Sequence, residues 1–78
     1  MRLTIDRAHA HAGAGGDLLL FPARDGARRR LTLAVPSRDW EAAQRLCPSD
    51  PLAEIEALAL DGQWVDHQGR KVWLVARG

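Results

Sequence analysis

Three turn signals set the grain of this chain. Asp25-Gly26, Asp61-Gly62 and Gln68-Gly69 are dipeptides that accept the positive φ of a tight two-residue hairpin link. The segments beside them are rich in leucine and valine and only a few residues long, which specifies short strands folding back on one another.

Before the first turn, Met1, Leu3 and Ile5 alternate with Arg2, Thr4 and Asp6, the period of a half-buried strand. Residues 8–16 (AHAHAGAGG) have no bulky side chain to bury and contain three glycines, so a flexible Ala/Gly/His loop is expected there. Residues 17–23 and 28–35 pair across Asp25-Gly26, with Leu20 opposite Leu31 and Leu18 opposite Leu33, four leucines on one face. Pro36 stops that strand and Ser37 is expected to cap a helix. Trp40, Ala43 and Cys47 form its apolar stripe with Leu46 beside them, while Arg38, Glu41, Gln44 and Arg45 face water. Pro48 ends the helix.

Asp50 and Pro51 have the character of the cap and first residue of a second helix along Leu52, Ile55 and Leu58. The alternative, favoured because Asp61-Gly62 again looks like a hairpin, is at most one turn over 51–54 and a strand over 55–60. Gln68-Gly69 then returns residues 70–76 onto 63–67. In this three-stranded meander Leu58, Val65 and Val72 share a row on the core face, with Leu60 and Leu74 beside them. Trp64 and Trp73 meet on the opposite face.

With 78 residues the chain has room for one core and one domain. Hydrophobic residues make up 46% and charged residues 27%, an ordinary globular balance. The expected fold is therefore a single α+β domain over 1–78. It comprises an antiparallel sheet of five or six strands in two hairpin units, with one main helix packed on one face. A lone cysteine, Cys47, cannot form an internal disulfide and fits a reducing compartment. No apolar run reaches the ~18 residues that span a membrane, and the first residues lack the pattern of a signal peptide. A cytoplasmic protein with no membrane partner is expected. Ten arginines to one lysine, with thirteen alanines and no tyrosine or asparagine, suggest a GC-rich bacterial or phage genome.

Little in the sequence carries chemistry. His9 and His11 are spaced as a metal-ligand pair could be, but no third ligand is near them in sequence, so neither a metal nor a cofactor is expected. Gly13, Gly15 and Gly16 precede a strand, whereas a phosphate-binding Gly-rich loop opens a helix. Cys47 at a helix C-terminus meets the negative end of the dipole, which disfavours a thiolate nucleophile. No nucleophile-base pairing is specified, and a binding protein rather than an enzyme is expected.

Two features suit binding. Arg24, Arg28, Arg29 and Arg30 fall within seven positions, and guanidinium groups suit phosphates and carboxylates. The same cluster could merely blunt a strand edge against aggregation. Charge is polarised along the chain: residues 1–39 carry seven basic and four acidic side chains, residues 40–78 four and six. The overall balance of +1 is nevertheless small for a dedicated nucleic-acid binder. Trp64 and Trp73, beside Arg70 and Lys71, are either core or the aromatic anchors of a contact surface.

The run Ile55-Glu56, then Asp61-Gly62-Gln63-Trp64-Val65 and Gly69-Arg70-Lys71-Val72-Trp73, preceded by a helix near residues 41–46, resembles small phage-encoded anti-CRISPR proteins acting on type I systems. The resemblance covers about 35 residues of the C-terminal half, and the hairpin of residues 24–30 departs from the family. It implies a non-enzymatic inhibitor that binds a bacterial CRISPR surveillance complex in the host cytoplasm and blocks its access to target DNA. The alternatives are a small nucleic-acid-binding module, using the arginine hairpin on phosphates and the paired tryptophans on bases, and a small subunit of a larger assembly. The expected contact residues are Arg24, Arg28, Arg29, Arg30, Trp64, Arg70, Lys71 and Trp73.

Overall fold

A computed structural model describes residues 1–9, 13–15 and 17–75, the side chains of 9 and 13–15 excepted. In chain order the elements are β1 (Leu3–Ile5), a single 3-10 turn (Arg7–His9), β2 (Gly13–Gly15), β3 (Leu18–Asp25), β4 (Arg30–Pro36), α1 (Ser37–Leu46), α2 (Pro51–Leu58), β5 (Gly62–His67) and β6 (Arg70–Val75). The fold is α+β. Five strands follow the path β1-β3-β4-β6-β5, and β2 pairs with β3 on the edge it shares with β1. Every pairing is antiparallel except β4 with β6, which is parallel. The expected wholly antiparallel sheet is therefore a mixed one.

The first hairpin does not use the two-residue turn that Asp25-Gly26 suggested. Arg24 pairs with Arg30, the Asp25 N–H donates to Arg29 O at 3.1 Å, and Arg28 N–H donates to Asp25 O at 2.9 Å. Gly26, Ala27 and Arg28 form a three-residue loop, with Arg28 in the left-handed region at φ 64°. The Asp25 carboxylate selects this loop by accepting from the N–H groups of Ala27 and Arg29 at 2.8 and 2.9 Å. One extra loop residue on a three-residue offset reverses the faces, because side chains alternate along a strand. Phe21 thus lies opposite Leu33, Ala23 opposite Leu31 and Leu19 opposite Val35, while Leu18 and Leu20 fall on the other face with Ala34 and Pro36.

Residues 51–58 form a helix, not a strand over 55–60. Alanine, leucine and glutamate dominate this segment and favour helix. The Asp50 side chain caps it by accepting from Ala53 N–H at 3.3 Å, and Pro51 occupies the first turn. Ile55 and Ala59 are fully buried, with Leu52 and Leu58 packed against the core. Asp61-Gly62 is consequently the exit from α2, and the meander reduces to the β5–β6 hairpin. That hairpin has the expected register: Val65 faces Val72, Trp64 faces Trp73 and Asp66 faces Lys71. Gln68 and Gly69 both take positive φ, 51° and 81°, as a type I′ turn requires.

Two helices, rather than one main helix, cover the Phe21–Leu33 side of the sheet. The core there joins Leu3, Ile5, Phe21, Ala23, Leu33, Val35, Ala43, Ile55, Ala59 and Val75. Burying each of its larger side chains contributes about 1.5–3 kcal/mol. Trp40 reaches from α1 onto Phe21, with ring centroids 5.3 Å apart. Ser37 does not cap α1: its N–H and Oγ donate to Asp17 O at 2.9 and 3.0 Å, so it ties the helix start to the chain entering β3. Leu46, assigned to the apolar stripe, is 69% exposed, while Asp39 is buried. Within 8–16, the expected loop, β2 is paired with residues 18–20 of β3; His11 and Gly16 lie outside the described residues.

Candidate functional site

The parallel β4–β6 pair determines where the basic residues gather. Strands running the same way begin at the same end of the sheet, so the turn before β4 and the turn before β6 lie together. That end carries Arg24, Arg28, Arg29 and Arg30 from one turn and Arg70 and Lys71 from the other, six of the eleven basic side chains, with Asp25 and Asp66 beside them. A chain of net charge +1 thereby presents one strongly basic end.

Register orders three of these arginines. Arg24 is the cross-strand partner of Arg30. The pairing of Leu33 with Trp73, carried back along both strands, sets Arg30 level with Arg70, and Arg70 faces His67. Strand alternation puts Arg24, Arg30 and Arg70 on the face turned away from the helices. The bond from Arg70 Nη2 to Thr32 Oγ1 at 2.9 Å lies on that same face. At about 4.8 Å between strands, the three stems span roughly 10 Å. Like charges directly opposite in a sheet oppose folding. Among the described residues, no carboxylate comes within ion-pair distance of Arg24, Arg30 or Arg70. Asp6 stands at the rim of the cleft that Arg24 and Arg30 line with Pro22, Ala23 and Leu31.

The other arginines differ in role. Arg29 is committed to Asp25, its Nε 3.1 Å from Oδ2. The Arg29 N–H, the Ala27 N–H and the Arg29 guanidinium hold the Asp25 carboxyl below the usual carboxylate range. Arg24 Nη1 donates to Arg28 O at 3.1 Å, fixing its guanidinium against the loop. Arg28 is exposed at the left-handed position. The four hairpin arginines are thus a pair in the row, one loop residue and one ion-paired residue, not an equivalent cluster.

The tryptophans do not share an open face. Both lie on the helix side, the reverse of the expectation, because β6 takes its register from Leu33 in the core row. Trp73 packs against the core, and its Nε1 donates to Ala59 O at 2.9 Å. Gly62 makes room for it: a Cβ there would sit 2.5 Å from Leu74 O and 2.7 Å from Trp73 Nε1. Trp64, on the edge strand, remains 47% exposed, edge-on to Trp73 at 5.3 Å and 77°. It lines a shallow depression of about 390 Å³ with Arg30, Leu31 and Lys71. Arg30 therefore borders both the arginine row and this depression.

Arg30 standing level with Arg70 was beyond reach of sequence reasoning, since their strands are joined through two helices and a further strand. Thr32 was missed for the same reason. A different basic centre is structural: Arg7 donates to both Glu56 oxygens at 3.1 Å and pairs with Asp50 at 3.3 Å. The Glu56 bond is the main reason its pKa is raised.

Among the described residues, no group of three or more His, Cys, Asp and Glu side chains could hold a metal, and no helix is long and apolar enough to cross a membrane. Comparison with protein-family models, curated proteins and solved structures finds no match to this chain.

Proposed function

We propose that this protein is a non-enzymatic binding module that docks the phosphate backbone of a nucleic acid on the basic end of its sheet. The observation that carries the reading is the row Arg24–Arg30–Arg70, three arginine stems at strand spacing on one face with no carboxylate paired to them among the described residues. An external polyanion relieves their mutual repulsion and accepts their paired N–H donors.

The test is fluorescence anisotropy with a labelled oligonucleotide over a salt series. With three or four phosphate contacts, log K should fall with log[salt] at a slope of about −2 to −4. Replacing Arg24, Arg30 and Arg70 together by serine should flatten that slope by about two units while circular dichroism stays native, since exposed substitutions usually shift stability by under about 0.5 kcal/mol. Absence of binding at low salt, or an unchanged slope in the triple variant, rejects the reading.

The exposure of Trp64 favours a second reading, the anti-CRISPR-like inhibitor that blocks DNA access to a bacterial defence complex. An exposed aromatic beside Leu31 and Lys71 suits a protein anchor. In that case a purified surveillance complex, but no oligonucleotide, should retain the protein, and Trp64→Ala should release it.

A further inference from the structure

We infer that the free edge of β5 pairs antiparallel with the same edge of a second copy of this chain, so that Trp64 meets Trp64 across a two-fold axis. The inference goes beyond the phosphate-binding reading and stands whether or not that reading holds.

The two ends of the strand path are built differently. One end is broken into the three-residue strands β1 and β2, both on the same edge of β3. The other is β5, six residues long, with neither proline nor lysine in Gly62–His67 and no described strand beyond it. An edge left without such guards is a template for another strand. Hairpin geometry fixes which groups it offers. The residues flanking a two-residue turn exchange hydrogen bonds, and bonded and non-bonded pairs then alternate along the strands. His67, Val65 and Gln63 therefore use their backbone groups on β6, whereas Asp66, Trp64 and Gly62 turn N–H and C=O outward.

Three outward residues at alternate positions admit one antiparallel self-pairing that uses them all: Trp64 opposite Trp64, and each Gly62 opposite the other copy's Asp66. Alternation puts the side chains of these residues on the helix side. The Trp73–Trp64 pair, edge-on at 5.3 Å, then extends through the second copy's Trp64 to its Trp73, covering an indole that is 47% exposed in the single chain. Aromatic pairs across neighbouring strands stabilise a sheet.

Charge favours a second copy in this register. Asp66 falls opposite Gly62, which has no side chain, and the two Asp66 carboxylates stand four residues apart along the strand, about 14 Å and beyond the Debye length of ~8 Å. One residue further out, exposed Asp61 comes level with the second copy's His67, which faces Arg70 in its own hairpin. The acidic start of each β5 thus lies against the basic tip of the other, and the two arginine rows stay at opposite ends of the interface.

The test follows the mass of the wild-type chain by sedimentation from about 1 µM to about 1 mM, a range that suits a small interface. The mass should climb from 8.6 kDa toward that of two chains. The Trp64 and Asp66 amides, which point outward, should exchange about tenfold more slowly at the top of the range than at the bottom. Trp64→Lys and Trp64→Glu should each be monomeric alone, and their equimolar mixture should form a mixed dimer, because position 64 opposes itself. A wild-type chain that is monomeric throughout the range overturns the inference and leaves the edge to an extended segment of another protein. A dimer in which the Trp64 and Asp66 amides exchange as in the single chain also overturns it, by placing the contact elsewhere, and does so even if both charged variants fail to fold. Folded charged variants that dimerise singly, or whose mixture stays monomeric, overturn it as well.

Discussion

Two backbone positions show how single residues were chosen for different reasons. Arg28 holds φ 64° in the loop of the first hairpin, a position at which glycine pays no Cβ penalty. Gly26 stands two residues earlier, where no positive φ is present. Arg28→Gly is expected to raise stability by about 0.5–1 kcal/mol in urea unfolding, and a loss of stability would show that the arginine side chain outweighs its backbone. Gly62 is the opposite case. A methyl group there collides with Leu74 O and the Trp73 indole, so Gly62→Ala should destabilise by about 1–3 kcal/mol and blue- or red-shift the indole emission. Asp25 titrates within the hairpin: its folded pKa is depressed, so the order it gives the loop is complete above the usual carboxylate range and fades as pH falls through the folded value. Exchange of the Ala27 and Arg29 amides against pH reads this directly.

At the scale of elements, Glu56 joins pieces distant in sequence. From α2 its carboxylate accepts from the Ile5 N–H at 2.8 Å and from Arg7, fastening β1 and the 3-10 turn to the helix. Met1 adds a second tie at the far end of α2, its amino group donating to Ala59 O and Leu60 O at 3.1 and 2.6 Å. Removing the carboxylate leaves a part-buried amide unpaired. Glu56→Ala should therefore cost about 1.5–3 kcal/mol and accelerate exchange of the Ile5 amide, whereas an unchanged Ile5 amide would show that β1 holds without it. The legible elements were those whose signals are local: β1 by alternation, the β5–β6 hairpin by Gln68-Gly69, α1 by Pro36 and its polar face. The misread ones depended on partners elsewhere. Residues 55–60 carry strand and helix patterns at once, and what decides is Ile55 in the core and Glu56 against Ile5 and Arg7. The register of β3 on β4 turned on one carboxylate, Asp25, that made a longer loop than its Asp-Gly dipeptide announced. Arg24, Arg28, Arg29 and Arg30 were visible as a charge cluster, but the row that Arg24 and Arg30 complete with Arg70 follows only from the parallel pair.

For the molecule as a whole, protection should be greatest in the middle of the strand path and least at its ends. β4 and β6 are flanked on both sides, whereas β1, β2 and β5 each leave an edge. Hydrogen exchange should find Leu33, Val35 and Val72 opening only with global unfolding, and the three-residue strands opening at lower free energy. Equal protection in β1 and β4 would mean that the molecule opens as one unit. The parallel pair has one more consequence. Two loops separated by some forty positions meet at one tip, while the helices keep to the flank of the sheet. The molecule is laid out like a tool, its grip and its blade on separate stretches of chain. Residues 26–28 and 68–69 can then be exchanged or lengthened to reshape the blade without the grip being reforged.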